Sequence, residues 1–266
     1  MAFFEAEIAR ADPSWRAALR AGLAAIERDS PAYLEQLVSS EFLPQSADIF
    51  AAFSLPIDKV KYVLVGEGPY PRLESANGYC FMDAAVTNLW SEQENGGLSK
   101  AVNRATSLRN FMKMLLVAEQ HISLEELNPK SIADFASRAK GLNSPYIRTM
   151  TDLQTKFLDA GFLLLNASLV FRESVSPAVD ARAWLSFMRV IVTVLAENAM
   201  QQGGSSKPYF VLWGKIADRC LSLPELANAK DFRIVRAEHP YNLSFIANPE
   251  MHSLFRPLTL LNSAQP

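Results

Sequence analysis

The sequence predicts an α/β fold: a parallel sheet covered by helices. Four short runs, KYVLVG (61–66), GFLLLNASL (161–169), YFVLWG (209–214) and FRIVRAEHP (232–240), are apolar on both faces. Strands read this way when helices bury them from both sides, as in parallel sheets. Segments of helical periodicity separate the runs, and alternation of strand and helix is the signature of a parallel sheet. The runs also end in residues that suit a ligand site better than a tight turn, and ligands bind beyond the carboxyl ends of parallel strands.

In chain order, PSWRAALRAGLAAIERD and PAYLEQLVSSEF carry apolar residues at helical spacing, so the N-terminal third is expected to be helical. The first strand follows. Residues 83–106 read as a loop, SLRNFMKMLLVAEQ as a helix, and residues 127–150 as a second loop holding a short helix. The second strand precedes the helix AWLSFMRVIVTVLAENAM and a surface turn at 201–208. The third strand leads to the helical segment GKIADRCLSL, and the fourth strand follows it. No repeat or linker composition interrupts the chain, so a single domain over 1–266 is expected.

Composition bounds the function. The 266 residues are 49% hydrophobic, enough for one large core. No apolar run is long enough to span a membrane. The start, MAFFEAEIARADPSW, lacks the basic-then-apolar order of a signal peptide, so a cytoplasmic location is expected. Cys80 and Cys220 form no framework and no metal spacing, and are expected to be buried free thiols. A net charge of −2 excludes a protein that coats DNA by charge alone. It leaves room for a DNA enzyme with one charged groove.

The strand ends hold the candidate site. Gly66-Glu67-Gly68-Pro69 follows the first strand, Asn166 ends the second, Trp213-Gly214-Lys215 ends the third and Glu238-His239-Pro240 ends the fourth. One sheet edge is therefore expected to gather Glu67, Asn166, Lys215 and His239. The bland alternatives are a capping role for Asn166, a structural histidine, and a solvated lysine.

These stretches, in this order, resemble the uracil-DNA glycosylases of the classical type. That family has G-Q-D-P-Y and then G-x-x-F-S, where this chain has GEGPYP and then GYCF. It has L-L-L-N-x-x-L-T-V-R, L-L-W-G and H-P-S-P-L-S, where this chain has LLLNASLVFR, VLWG and HPYNLS. The segment around Trp15 and the SLRN at 107–110 are also similar. One such motif would be weak; four in order over most of the chain are strong.

The resemblance implies a three-layer α/β/α domain with a central, mainly parallel four-stranded sheet, and a base flipped out of DNA into a pocket. Phe81 would stack on that base, Asn166 would hydrogen-bond its Watson–Crick edge, and Tyr70 would exclude a methyl group at C5. The backbone amide of Glu67 and the side chain of His239 would address O2. Leu243 would wedge into the duplex, and Ser107, Ser244 and Lys215 would meet the DNA backbone. The implied partner is DNA, single- or double-stranded, acted on by a monomer without metal or cofactor.

The pattern breaks in three places. Gly68 stands where the family has the carboxylate that orients water and offsets charge on the sugar. AVNRAT precedes Ser107 in place of a proline-rich phosphate loop. Tyr241 and Asn242 replace a small residue and a proline, which predicts a bulkier and less rigid wedge loop. Other branches of the superfamily carry G-E-A-P-G, so GEGPY resembles a hybrid in which Glu67 is the substitute carboxylate and Asp83 a second one. The small Gly68 enlarges the pocket, so the expected base is uracil or a modified pyrimidine, such as the modified cytosines of some viral DNA. Two other readings stand beside the enzyme: a glycosylase fold that only binds damaged or foreign DNA, and a structural homologue with no DNA role. The second has no need for Tyr70, Phe81, Asn166, His239 and Leu243 together.

Overall fold

The computed structural model describes residues 2–202, 207–227 and 232–263. Four strands, β1 (Tyr62–Gly66), β2 (Phe162–Asn166), β3 (Tyr209–Trp213) and β4 (Arg233–Ala237), form one parallel sheet in the order β2-β1-β3-β4, flanked by helices. All four lie inside the runs read from the sequence. The chain passes from β1 to one side for β2 and to the other for β3. The switch point therefore falls between β1 and β3, where the carboxyl ends open a crevice for a ligand.

The helices are α1 (Ala2–Arg10), α2 (Arg16–Asp29), α3 (Tyr33–Val38), α4 (Lys100–Arg104), α5 (Thr106–Ala118), α6 (Pro129–Lys140), α7 (Met150–Asp159), α8 (Pro177–Gln201), α9 (Ile216–Leu221), α10 (Pro224–Ala227) and α11 (Pro249–Phe255). Two departures from the sequence reading have visible causes. Within the expected loop at 127–150, α6 runs for 12 residues. Asn128 caps it in a reciprocal box with Ser131, and Pro129 fills the first position, where a missing N–H costs nothing. α8 starts at Pro177, ahead of the expected Ala183, again with proline in its first turn. The expected loop at 83–106 is irregular except for α4, whose first turn is capped by the Ser99 hydroxyl. Half of the expected turn at 201–208, residues 203–206, lies outside the described residues.

The chain divides into two compact units, one comprising Met1–Asp83 with Gly161–Val235 and the other Ala84–Ala160 with Arg236–Pro266. In the first, α2 packs along α8. Trp15, Phe53 and Phe187 join Val63, Val65, Leu163, Leu165, Phe210 and Leu212 in one buried cluster. Side chains alternate along a strand, so Leu64, Leu164 and Val211, also buried, point to the other face of the sheet. Burial on both faces explains why these strands lack polar alternation.

In the second unit, α5 is the centre. Its Phe111 stacks on Phe157 of α7 with centroids 5.8 Å apart and meets Phe255 of α11 edge-on at 5.2 Å. Among the described residues, no helix is long and apolar enough to cross a membrane.

Candidate active site

In the first unit the site is built on the register of β1 against β2. Gly66 and Asn166, the last residues of the two strands, are partners. The Asn166 amide is 2% exposed. A Cβ on Gly66 would fall 2.7 Å from Asn166 Oδ1 and 2.8 Å from the Cys80 Cβ, so the absent side chain is what admits both. Past the strands the two chains stay tied: Ala167 N–H donates to Gly66 O at 2.8 Å, and Ser168 N–H to Glu67 O at 3.1 Å.

Cys80 stitches the next segment to the same strands. Its N–H donates to Leu164 O at 3.1 Å and its thiol donates to Leu64 O at 3.2 Å. Burial pushes this thiol well above the usual range, so it is a structural donor and not a nucleophile. Cys220 is likewise buried, and its thiol is pushed up to about 12 by burial. Both are free thiols, as the spacing predicted.

The residue after Cys80 is Phe81, held at φ +64°, a left-handed conformation that is rare for an aromatic. Strain of this kind persists only where the surroundings over-determine it, and it concentrates at functional sites. The Phe81 ring meets Trp213, the last residue of β3, edge-on at 5.3 Å. Its carbonyl accepts from the Tyr70 hydroxyl at 3.4 Å. Burial, and then the nearby charge of Asp83, raises the Tyr70 phenol well above its usual value, so it stays a neutral donor. Asp83 is 4% exposed and pairs with Arg72 at 3.2 Å.

Glu67 and Gly68 are exposed at the mouth of this turn. A Cβ on Gly68 would meet only Ser168 O at 3.7 Å and Ser168 Cβ at 3.9 Å, ordinary contacts, so a side chain has room there. Lys215 is exposed, just past the end of β3, beyond Gly214 at φ +62°.

The second unit holds the other named residues. His239 is exposed, two residues past the end of β4. The backbone N–H of Tyr241 donates to His239 Nδ1 at 3.1 Å. A ring nitrogen that accepts carries no hydrogen, so this contact assigns a neutral imidazole with its hydrogen on Nε2. Asn242 N–H donates to His239 O at 2.9 Å and closes the turn.

The fully buried Asn110 of α5 donates from Nδ2 to Pro240 O at 2.8 Å and Tyr241 O at 3.2 Å. The loop expected to be less rigid for lack of a proline is thus anchored by a side chain. Its tip carries Tyr241, 67% exposed, and Leu243, 69% exposed.

Glu238 accepts from the Asn248 side-chain amide at 2.8 Å, with the Ser244 hydroxyl beside it. Burial raises the Glu238 carboxyl, but these polar neighbours outweigh it and leave the group below its usual range. Ser107 is half-buried, the second residue of α5, and the preceding Ala105 offers no side-chain cap. Among the described residues no cluster of three His, Cys, Asp or Glu side chains could hold a metal ion.

Gly66, Cys80, Asn110 and Glu238 were not singled out as working residues by the sequence. Each nevertheless stood in or beside a quoted stretch: Gly66 directly before the Glu-Gly-Pro turn, Cys80 in GYCF, Asn110 at the end of SLRN and Glu238 directly before His239.

The carboxyl ends of this parallel sheet thus carry a buried amide, a constrained aromatic and a neutral phenol on an α/β scaffold. Comparison with known proteins identifies the scaffold. The crystal structure of wild-type UNG from Nitratifractor salsuginis superposes with a TM-score of 0.82 at 33% identity, over 96% of this chain and 94% of that one. Uracil-DNA glycosylases of Phocaeicola vulgatus and Pseudomonas putida are 28% and 26% identical, over 73% and 88% of this chain and 70% and 82% of theirs. Mimivirus uracil-DNA glycosylase, at 20% identity and a TM-score of 0.51 over 86% of this chain and 68% of its own, shares the fold. No family model matches the chain. On the first of these similarities, the chain belongs to the uracil-DNA glycosylase family.

Proposed function

We propose that the protein is a DNA glycosylase that hydrolyses the N-glycosidic bond of a pyrimidine flipped out of DNA and leaves an abasic site. The observation that carries this is the pairing of the buried Asn166 amide with a glycine that makes room for it, beside a strained Phe81. A buried amide offers one acceptor and two donors, which is what the edge of a pyrimidine requires. Phe81 supplies the stacking face, and Tyr70 bounds the ring at C5.

In the proposed reaction the C1′–N bond breaks with its electron pair on the base. The Nε2–H of His239 stabilises the charge on O2, since a fixed donor aimed at developing charge needs no reorganisation. A water oxygen then bonds to C1′. Its proton passes to a carboxylate, and the base is released after taking up a proton. Gly68 carries no carboxylate, and Glu67, exposed one residue away, is the group proposed to receive that proton. Ser107, Ser244 and Lys215 are the proposed backbone contacts, and Leu243 the duplex wedge.

The base is uracil or a modified pyrimidine. An amide turned one way suits uracil, and turned the other way suits cytosine. Gly68 adds space, which favours a bulkier ring. The same Gly68 supports a second reading, a fold that binds damaged or foreign DNA without cutting it. One experiment separates these: incubation with oligonucleotides containing uracil or methylated, hydroxymethylated or glucosylated pyrimidines, then alkaline cleavage at abasic sites. Strand scission with any of them supports the enzyme. Binding without scission across the panel supports the sensor.

A further inference from the structure

We propose that Tyr241 is a base-stacking residue, a platform for an unpaired DNA base next to the abasic or flipped position. This rests on the DNA-glycosylase reading and extends it to a residue the family pattern does not supply, since a small side chain stands there in the motif this chain resembles.

An exposed aromatic is not by itself informative. Here it comes with an ordered backbone on both sides. The Tyr241 N–H is held by His239 Nδ1 at 3.1 Å, its carbonyl by Asn110 Nδ2 at 3.2 Å, and the preceding Pro240 carbonyl by the same amide at 2.8 Å. The ring nevertheless remains 67% exposed, beside Leu243 at 69%. A side chain shown to solvent from a fixed backbone loses little freedom on contact, which is how preorganised recognition groups gain affinity.

Asn110 strengthens the case. It is fully buried, and its Oδ1 has no hydrogen-bond partner among the described residues. A buried acceptor left unsatisfied destabilises a fold, where an apolar side chain of similar shape would not. The amide is therefore held at a cost, and what it does is fix the two carbonyls that set the Tyr241 backbone.

The chemistry of the occupant follows from size and surroundings. Tyr241 and Leu243 are two apolar groups flanked by exposed His239, Asn242 and Ser244. A stable protein interface needs a far wider surface. A single base needs one flat ring, and base–aromatic stacking accepts any base because every base has a π-face. The two side chains then divide the work. Leu243 substitutes for a base withdrawn from a duplex, and Tyr241 holds an unpaired base in either single or double strands.

The test uses the full chain and oligonucleotides with a tetrahydrofuran abasic analogue flanked by 2-aminopurine, so it does not depend on which base is released. Stacking of 2-aminopurine on Tyr241 quenches its fluorescence. Tyr241→Ala is expected to lose the quench and to weaken binding about 5- to 150-fold on single strands and duplex alike. Tyr241→Phe is expected to keep both. Wild-type quench and affinity in Tyr241→Ala would overturn the inference and leave the glycosylase reading standing. A wild-type chain that neither binds these oligonucleotides nor releases any base overturns both.

Discussion

Gly66 and Asn166 are register partners at the ends of β1 and β2, and one methyl group on Gly66 would lie 2.7 Å from the Asn166 amide oxygen. The glycine thus sets the position of the amide proposed to read the base. Gly66→Ala is expected to push the amide out of place and to cost as much excision as Asn166→Ala. The double variant should be no worse than either single one, because residues that share one contact are not additive. Rates and melting temperatures of the three variants check this. Full additivity would assign Gly66 to backbone geometry instead.

His239→Ala removes the proposed donor to the departing base. Loss of one such donor typically lowers turnover ~10²–10³-fold. Single-turnover rates on the best substrate of the panel measure it, and an unchanged rate would remove His239 from the chemistry.

Glu67→Gln keeps size and hydrogen bonding but abolishes the charge. Turnover should fall while affinity holds, as expected of a group that acts on the transition state. Gly68→Asp is the complementary change. The backbone leaves room for it, the nearest contacts of its Cβ being 3.7 and 3.9 Å. With uracil, the restored acid should raise the rate. With a bulky modified base it should lower it. The sign of the effect therefore reports which substrate the space at Gly68 serves.

Leu243→Ala should impair action on duplex more than on single strands, because extrusion from a stack costs a few kcal/mol that a single strand is largely spared. Equal losses on both would make Leu243 a packing residue.

Glu238 gives a dependence on pH. Its folded carboxyl lies below the usual carboxylate value. The stabilisation it contributes is therefore present above that value and is lost as pH falls through the folded value. Melting temperature followed into acid should drop less steeply for Glu238→Gln than for wild type. Identical slopes would mean that its polar contacts with Asn248 and Ser244 do not stabilise the folded state.

The strands were legible because burial on both faces leaves continuous apolar runs, and Asn166 was marked because it closes such a run, Phe81 because it closes the GYCF stretch. The Asn110 clamp was not, since it joins residues 130 positions apart, and SLRN marked the residue without showing what its side chain holds. The Cys80 stitch escaped too, because a lone cysteine in sequence says nothing of what its thiol touches. α6 was underestimated because its apolar positions are spaced by polar ones, though Asn128-Pro129 before it was an available start signal. The division into two units gives no compositional trace, since the chain crosses between them three times, after Asp83, after Ala160 and, within β4, after Val235, with no linker at any of the three.

The two buried cysteines give the chain a built-in gauge of its own integrity. Both are free, and burial raises both thiols, so neither is poised to react while the fold is closed. An aromatic disulfide reagent added to native protein should therefore develop almost no colour, and two equivalents should appear on denaturation. Cys80 is tied to β1 and β2 directly behind the Phe81 turn. Its labelling rate in mild denaturant would time the opening of that edge of the sheet, with no engineered probe and no substrate.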